Sequence, residues 1–320
     1  MVNVHNTTTS WSEYIDTAID LRTRMGLRDR ALFHSIVDSY PLSPDHEGNV
    51  VQVTVDGEAP TFTTPISETV DVDAVVSGDP RQFNVTMAEY GGVLGSTYKL
   101  RANDWSQKTV ERLGNQLAYS MTQSLDILVQ AVLDAATNVL FGTAAGTIGD
   151  LTGPVVAAGI TNAKHVLGAS ALLHGRRAEH RNGELWAGLI HPHASFDLRA
   201  ETGDHGWLQP HIRVDTANVY STKLGVFAST DWVESPRCTA VAGTPDVYTT
   251  YVYGREALME AAKTPFHTLV SPMTDNLNRF QRVGWHGHAG WSVFRQNAIQ
   301  LIKTASSMEA LAIPAWDPKA

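Results

Sequence analysis

The chain has a single cysteine, Cys238, in 320 residues. No intrachain disulfide can form, which fits folding in a reducing cytoplasm. No apolar run approaches the roughly 20 residues that cross a bilayer as a helix. The first residues, Met1 to Tyr14, have neither a basic n-region nor an apolar h-region, so no signal peptide is expected. There is no Gly-Lys pair, which excludes a phosphate-binding P-loop. There is no G-x-S-x-G elbow and no H-E-x-x-H pair. Lys and Arg are absent from Ala31 to Pro80. That stretch holds nine acids: Asp38, Asp45, Glu47, Asp56, Glu58, Glu68, Asp71, Asp73 and Asp79. They equal the whole net charge of −9, so the remainder is close to balanced. A nucleic-acid binder needs a basic stripe to neutralise phosphates, and none is visible. The densest basic cluster, Arg176, Arg177 and Arg181, is interrupted by Glu179 and reads as a solvated loop.

The hydrophobic fraction, 43%, allows a real core. The longest periodic stretch runs from Asp104 to Phe141. Apolar residues recur at Val110, Leu113, Leu117, Met121, Leu125, Leu128, Val132, Ala135 and Val139, in steps of three or four. Asp104 and Gln107 suit an N-terminal cap, and Gly142 suits a C-terminal one. One helix over this span would be about 55 Å long. Its expected core face is Leu113, Leu117, Met121, Leu125, Leu128 and Val132. The flanking positions Asn115, Gln116, Ser120, Thr122, Gln123 and Gln130 lack the charges of a coiled coil. Two readings follow: a helix lying across its own domain, or a spine with different neighbours along its length.

Before this helix, residues 1–48 read as an arm. Two short helical patterns, Trp11 to Leu21 and Leu27 to Val37, end at the prolines Pro41 and Pro44. Residues 49–103 change period. Val51, Val53 and Val55 alternate with polar residues, as do Phe83, Val85 and Met87, which predicts strands with one apolar face. Asp56-Gly57 and Ser77-Gly78-Asp79-Pro80 are turn chemistry. The segment is either an extended acidic hairpin that needs a partner or a sheet packed on the long helix.

After the helix, residues 142–160 are rich in Gly, Ala and Thr and read as loop. A helix is expected over Thr161 to Gly175, capped by Thr161 or Asn162, and a buried strand over Leu185 to His191. Another helix starts near His193. Strands are expected at Leu224–Ser229 and Val247–Tyr253, with a short helix over Gly254–Ala262. Further strands are expected at Phe266–Val270, Leu277–Trp285 and Trp291–Ile302. Gly284 to Gly290 reads as a tight turn between the last two.

Histidine is the one feature that invites an enzyme reading. His191-Pro192-His193 follows a strand, and an H-x-H there can bind zinc. Asp197, Asp204, His205 and His211 lie near it in sequence, and His286-Gly287-His288 is a second pair. The chain left after His193 is too short for the remaining strands of a barrel of about 250 residues. Hydrogen-bonded or surface histidines are the simpler reading, with no metal, cofactor or catalytic group. Cys238 sits in a turn with no helix N-terminus beside it.

The order of parts is an arm, an extended hairpin, one long helix, a mixed α/β unit and returning strands. Four stretches carry a resemblance: LWAGLIHPHASFDLRAET, KLGVFASTDWVESPRC, DVYTTYVYGREAL and VGWHGHAGWSVFRQNAIQLIKTAS. In order and spacing they resemble the major capsid proteins of tailed bacteriophages, with the HK97-type fold. The resemblance covers nearly all of the chain and rests on no strict signature. It implies an α+β fold divided into an N-terminal arm (1–48), an E-loop hairpin (49–103), a P-domain spine helix (104–141) and an A-domain (142–264). Residues 265–320 would return to the P-domain and form the C-terminal tail. It implies a structural protein of the virion, made in the host cytoplasm and assembling into pentamers and hexamers of an icosahedral head around double-stranded DNA. Contact with DNA would be non-specific and with membrane absent. Scaffolding, portal and decoration proteins are further candidate partners. The E-loop residues Asp56, Gly57, Glu58, Glu68, Asp71, Asp73 and Asp79 would meet neighbouring subunits. Some members crosslink an E-loop lysine to a neighbouring asparagine. Here Lys99 is the one lysine in 49–103, and no crosslink is expected. The alternatives are an encapsulin-like cellular shell of the same fold, and a metal-dependent hydrolase using His191 and His193.

Overall fold

The computed structural model describes residues 32–40, 42, 48–103, 109–143, 159–201, 223–243, 245–273, 277 and 279–310. The expected helices before Leu32, the Pro41–Pro44 break, the caps Asp104 and Gln107, most of the 142–160 loop, and Asp204, His205 and His211 lie outside these residues. In chain order come a 3-10 turn (Phe33–Ile36), β1 (Asp38–Tyr40), β2 (Val50–Val55), β3 (Arg81–Thr86), β4 (Ala88–Thr97), α1 (Tyr98–Asn103) and α2 (Thr109–Asp134). Then follow β5 (Val139–Phe141), α3 (Ala163–Gly175), β6 (Trp186–Ile190), α4 (Pro192–Ala200), β7 (Lys223–Phe227), β8 (Thr230–Glu234) and β9 (Ala240–Val241). The chain closes with β10 (Val247–Tyr253), β11 (Leu258–Val270), β12 (Phe280–Val293), β13 (Ile299–Ala305) and a last 3-10 turn (Ser307–Ala310).

The strands form three sheets. The largest has the order β5-β13-β10-β6-β8-β7, with β9 beside β10. β10, Val-Tyr-Thr-Thr-Tyr-Val-Tyr, is buried at every position, because both faces are covered. Such β-branched and aromatic runs suit a strand with two packed faces. Tyr251 and Tyr253 point into a core shared with Leu125, Val129 and Leu133 of α2. Tyr248 and Val252 point into the other core, with Val166 and Leu173 of α3, Leu198 of α4, Trp186 and Trp232. α3 starts where expected, with the Asn162 side chain accepting from the His165 N–H at 3.1 Å. The second sheet, β1-β11-β12-β4, lays one face on α2. There Leu117 packs with Val283 and Trp285. The third sheet is the two-stranded pair β2-β3.

The helix reading needs correction at its C-terminal end. α2 stops at Asp134, and Val139 lies on β5, paired in parallel with Leu301 of β13. The Asn138 amide donates to the carbonyls of Gln296 and Ile299 at 2.6 and 3.2 Å, which fixes the chain in the strand direction. The 26 residues of α2 span about 39 Å.

Four further expectations fail. Gly254–Ala262 is not a helix. The chain turns at Glu256, with φ +53°, and the Asp38 carboxylate accepts from the Glu256 N–H at 2.9 Å. The helix-forming Leu-Met-Glu-Ala-Ala that follows is held extended between β1 and β12, a tertiary override of propensity. Gly284–Gly290 is not a turn but the middle of the 14-residue β12. A Cβ on Gly287 would enter the Phe266 ring, and one on Gly290 would meet the Thr86 carbonyl, so these glycines permit close packing rather than a reversal. Trp291–Ile302 is not one strand, since residues 294–298 break it. Nor is the Arg176–Arg181 cluster simply solvated. Arg181 donates to both oxygens of Asp38 at 3.1 and 3.3 Å and lies 5.6 Å from the Tyr253 ring centre.

Candidate assembly surface

β2 and β3 pair in register from Val50 opposite Thr86 to Val55 opposite Arg81. Their apolar face does not rest on α2. Val51, Val85 and Met87 pack with Met259, Ala261 and Phe294. The Gly78 N–H donates to the Glu58 carbonyl at 3.1 Å, and beyond that point the ladder ends. Every residue from Glu58 to Gln82 is exposed. Phe62 is 71%, Ile66 79% and Val76 85% exposed, and Val70, Val72 and Val75 are also in solvent. From Glu58 to Glu68 an extended chain reaches about 33 Å.

The expected contact residues fall into two groups. Asp56, Gly57, Glu58 and Asp79 line a cleft of about 830 Å³ at the root of the limb, opposite Arg176, Arg177 and Arg295. Glu68, Asp71 and Asp73 lie on the outer limb, all exposed. Among the described residues the limb bonds only locally, as where Asp71 accepts from the Val72 N–H at 2.9 Å. The exposed apolar residues of the limb were not picked out as contacts. Their signal is the alternation Val70-Asp71-Val72-Asp73, a strand pattern with no second strand among the described residues to pair with.

α2 carries polar contacts that its periodicity hides. Leu117 and Leu125 are buried, while Leu113, Met121, Leu128 and Val132 are half-buried. The fully buried positions are Val129 and Leu133, one residue on from the expected Leu128 and Val132. About one turn before Val129 sits Asp126, also fully buried. Its Oδ2 lies 3.0 Å from Nε of Arg237, and its Oδ1 accepts from the His34 N–H at 3.1 Å. One turn on, Gln130 donates to the Arg237 carbonyl and to Thr239 Oγ1, both at 2.7 Å. Next, Asp134 accepts from Tyr251 at 2.6 Å and from Thr239 at 2.5 Å. One face of α2 is thus pinned to the 235–239 loop and to the central sheet.

The histidine pair at 191 and 193 is part of this framework. The His193 N–H donates to His191 Nδ1 at 3.1 Å, capping α4. His193 Nδ1 and the Tyr248 hydroxyl share a hydrogen bond of 2.7 Å. Burial and the neighbouring His193 push the His191 imidazole down to about 4. Asp197 accepts from the Ser307 N–H at 3.1 Å and is not turned toward the pair. Among the described residues no group of three His, Cys, Asp or Glu side chains could hold a metal ion. Burial pushes the Cys238 thiol far up, away from reactive thiolate character. No helix of the described residues is long and apolar enough to cross a membrane.

No protein-family model matches the chain, and no curated protein matches it in sequence. Solved structures do match. The capsid chain of cyanophage Pam1 superposes with a TM-score of 0.74 at 13% identity, covering 96% of this chain and 99% of that one. The head structure of Helicobacter pylori bacteriophage KHP40 gives 0.68 at 12% identity, over 95% and 99%. The capsid of Ralstonia phage GP4 gives 0.67 at 12%, over 95% and 98%. The likeness runs nearly end to end on both sides, and the fold of this chain is the fold of phage capsid proteins.

Proposed function

We propose that the chain is the major capsid subunit of a tailed bacteriophage, structural rather than catalytic, and that its copies form the pentamers and hexamers of an icosahedral head around double-stranded DNA. The observation that carries this is the limb from Glu58 to Gln82, exposed throughout on a chain with a capsid fold. Burying Phe62, Ile66, Val70, Val72, Val75 and Val76 on a neighbour would contribute on the order of 10 kcal/mol before the cost of ordering. Such contacts between unlike surfaces of like copies close into rings. In this reading residues 1–48 are the arm, 49–103 the E-loop, α2 the spine of the P-domain, and 142–264 the A-domain. The acids Asp56, Glu58, Glu68, Asp71, Asp73 and Asp79, with Gly57, belong to the contact surface. The virion is the final location, the host cytoplasm the place of assembly. Scaffolding, portal and decoration proteins would be met during assembly.

The test is negative-stain electron microscopy of the purified protein at neutral pH. Closed shells or tubes tens of nanometres across are expected. A folded protein that stays small at every concentration, with and without a co-expressed scaffold, overturns the reading. Shells that co-purify with a cargo enzyme in place of DNA point to the encapsulin-like alternative.

A further inference from the structure

Residues 32–40 lie across α2 and β11 as a strap. Two of its side chains enter the core. Phe33 is wholly buried, edge-on to Tyr251 with 5.4 Å between ring centres, and Ile36 is 6% exposed. They sit among Leu125, Val129 and Leu133 of α2 and Leu258 of β11. At the far end β1 pairs in parallel with Met259 to Ala261. Two apolar side chains are a small holding for nine residues, so the polar ties decide how firmly the strap stays down.

Those ties fall at two points. At one, the Asp38 carboxylate accepts from Arg181 and from the Glu256 N–H. At the other, the His34 N–H donates to Asp126 Oδ1 at 3.1 Å, and His34 Nε2 lies 3.2 Å from Glu260 Oε1. The second tie alone contains an imidazole. The Glu260 side chain is 13% exposed, and among the described residues its one hydrogen-bond or ion-pair partner is His34. Asp126 is already matched by Arg237 at 3.0 Å. Trp291 of β12 stands edge-on to the imidazole at 6.4 Å and carries no charge. A dehydrated carboxylate with a single partner is poorly compensated once that partner is neutral.

We propose that the His34–Glu260 contact is a proton-operated clasp: with the imidazole charged the strap lies closed on α2 and β11, and with it neutral the strap opens locally while the rest of the fold stays intact. The charged groups facing the imidazole are Glu260 from β11 and Asp126 from α2, with Arg237 of the 235–239 loop behind Asp126. The hydrogen bond to Glu260 raises the His34 imidazole above its usual 6.5, burial opposes it, and the charges of Glu260 and Asp126 add to the rise. Closure is therefore full below 6.5 and weakens as pH climbs through the raised folded value. The strap continues directly from Met1 to Ala31, so the clasp decides whether the root of that segment is fixed or free. The clasp belongs to the single chain and does not depend on what its copies assemble into.

The test is hydrogen exchange of the full chain, read by mass spectrometry on peptides covering 32–40 and β10, at about pH 6 and about pH 9 with intrinsic exchange rates divided out. The opening constant of the strap should rise about tenfold from the acidic to the basic pH, the size of one charge-assisted hydrogen bond at a partly exposed site. β10 should stay protected over the same period. His34→Gln and Glu260→Gln, each checked for a protected β10, should each cut the change to about twofold or less. Asp38→Asn, at the other tie, should raise opening at both pH values and leave the ratio between them unchanged. That variant, with the wild type, decides the matter even where the clasp substitutions fail to fold. Strap and β10 exchanging together at both pH values, an opening constant that does not move with pH, a rise that survives either clasp substitution, or a ratio lost in Asp38→Asn overturns the clasp.

Discussion

Replacing Asp126 by alanine should unfold the chain far more readily than its place in a long helix suggests. Asp126 is fully buried and Arg237 has 12% of its side chain exposed, with 3.0 Å between Oδ2 and Nε. Removing one partner leaves a buried guanidinium without its counter-charge and the His34 N–H without its acceptor. Breaking a buried pair this way costs about 3–5 kcal/mol. Replacing both partners is a different matter. The pair gave up much of its hydration on burial, so Asp126→Leu with Arg237→Met should recover most of the loss. The assay is urea unfolding of the monomeric chain, followed by fluorescence. With a slope of about 2–3 kcal/mol per molar urea, the Asp126→Ala midpoint should fall by about 1–2 M at unchanged slope. The double variant should return to within about 1 kcal/mol of the parent. If Asp126→Ala alone lies within about 1 kcal/mol of the parent, the buried charge pair is not what fixes α2 to the 235–239 loop, and the reasoning fails.

Excising Asp56 to Asp79 should leave a folded, soluble chain that no longer forms shells; shells of normal size from that deletion would remove the limb from assembly. Shells of the intact chain, boiled in denaturant, should run as monomer on a gel, and a ladder of multimers would show a crosslink through Lys99. Glu260 holds the His34 imidazole above its usual 6.5, first through their hydrogen bond, against the opposing effect of burial. That contribution is full below about pH 6.5 and lost as pH rises through the raised folded value, so His34→Gln should flatten the decline seen in subunit melts above that pH. His191 has the opposite sign. Its folded value is lowered to about 4, so its contribution is present above 6.5 and lost as pH falls toward 4; melts of His191→Asn should lose less stability over that interval.

How much of this was legible follows from where each signal lives. β2 and β3 were visible because one of their faces is wet, so valine and phenylalanine alternate with polar residues. α3 was visible down to its Asn162 cap because capping is local chemistry. β4 was not read as a strand. Its Gly91, Gly92 and Gly95 lack β propensity, and their value is close approach to β12, which only the paired strand reveals. The same holds for Gly287 and Gly290, which read as a turn until Phe266 and Thr86 are seen against them. The start of β11 reads as helix because leucine, methionine, glutamate and alanine favour one. Its extended form is imposed by β1 and β12, which come from about 220 residues before it and 30 after. Asp126 is the sharpest case. In a period count it is one polar residue among many on α2, and its partner Arg237 is more than a hundred positions away. The limb was legible as acidic because charge is a property of composition. Its apolar residues were not legible as contacts, because being apolar says nothing of what would cover them. In a shell subunit the surfaces that matter most are completed by another chain, and a single chain shows them only as residues left uncovered.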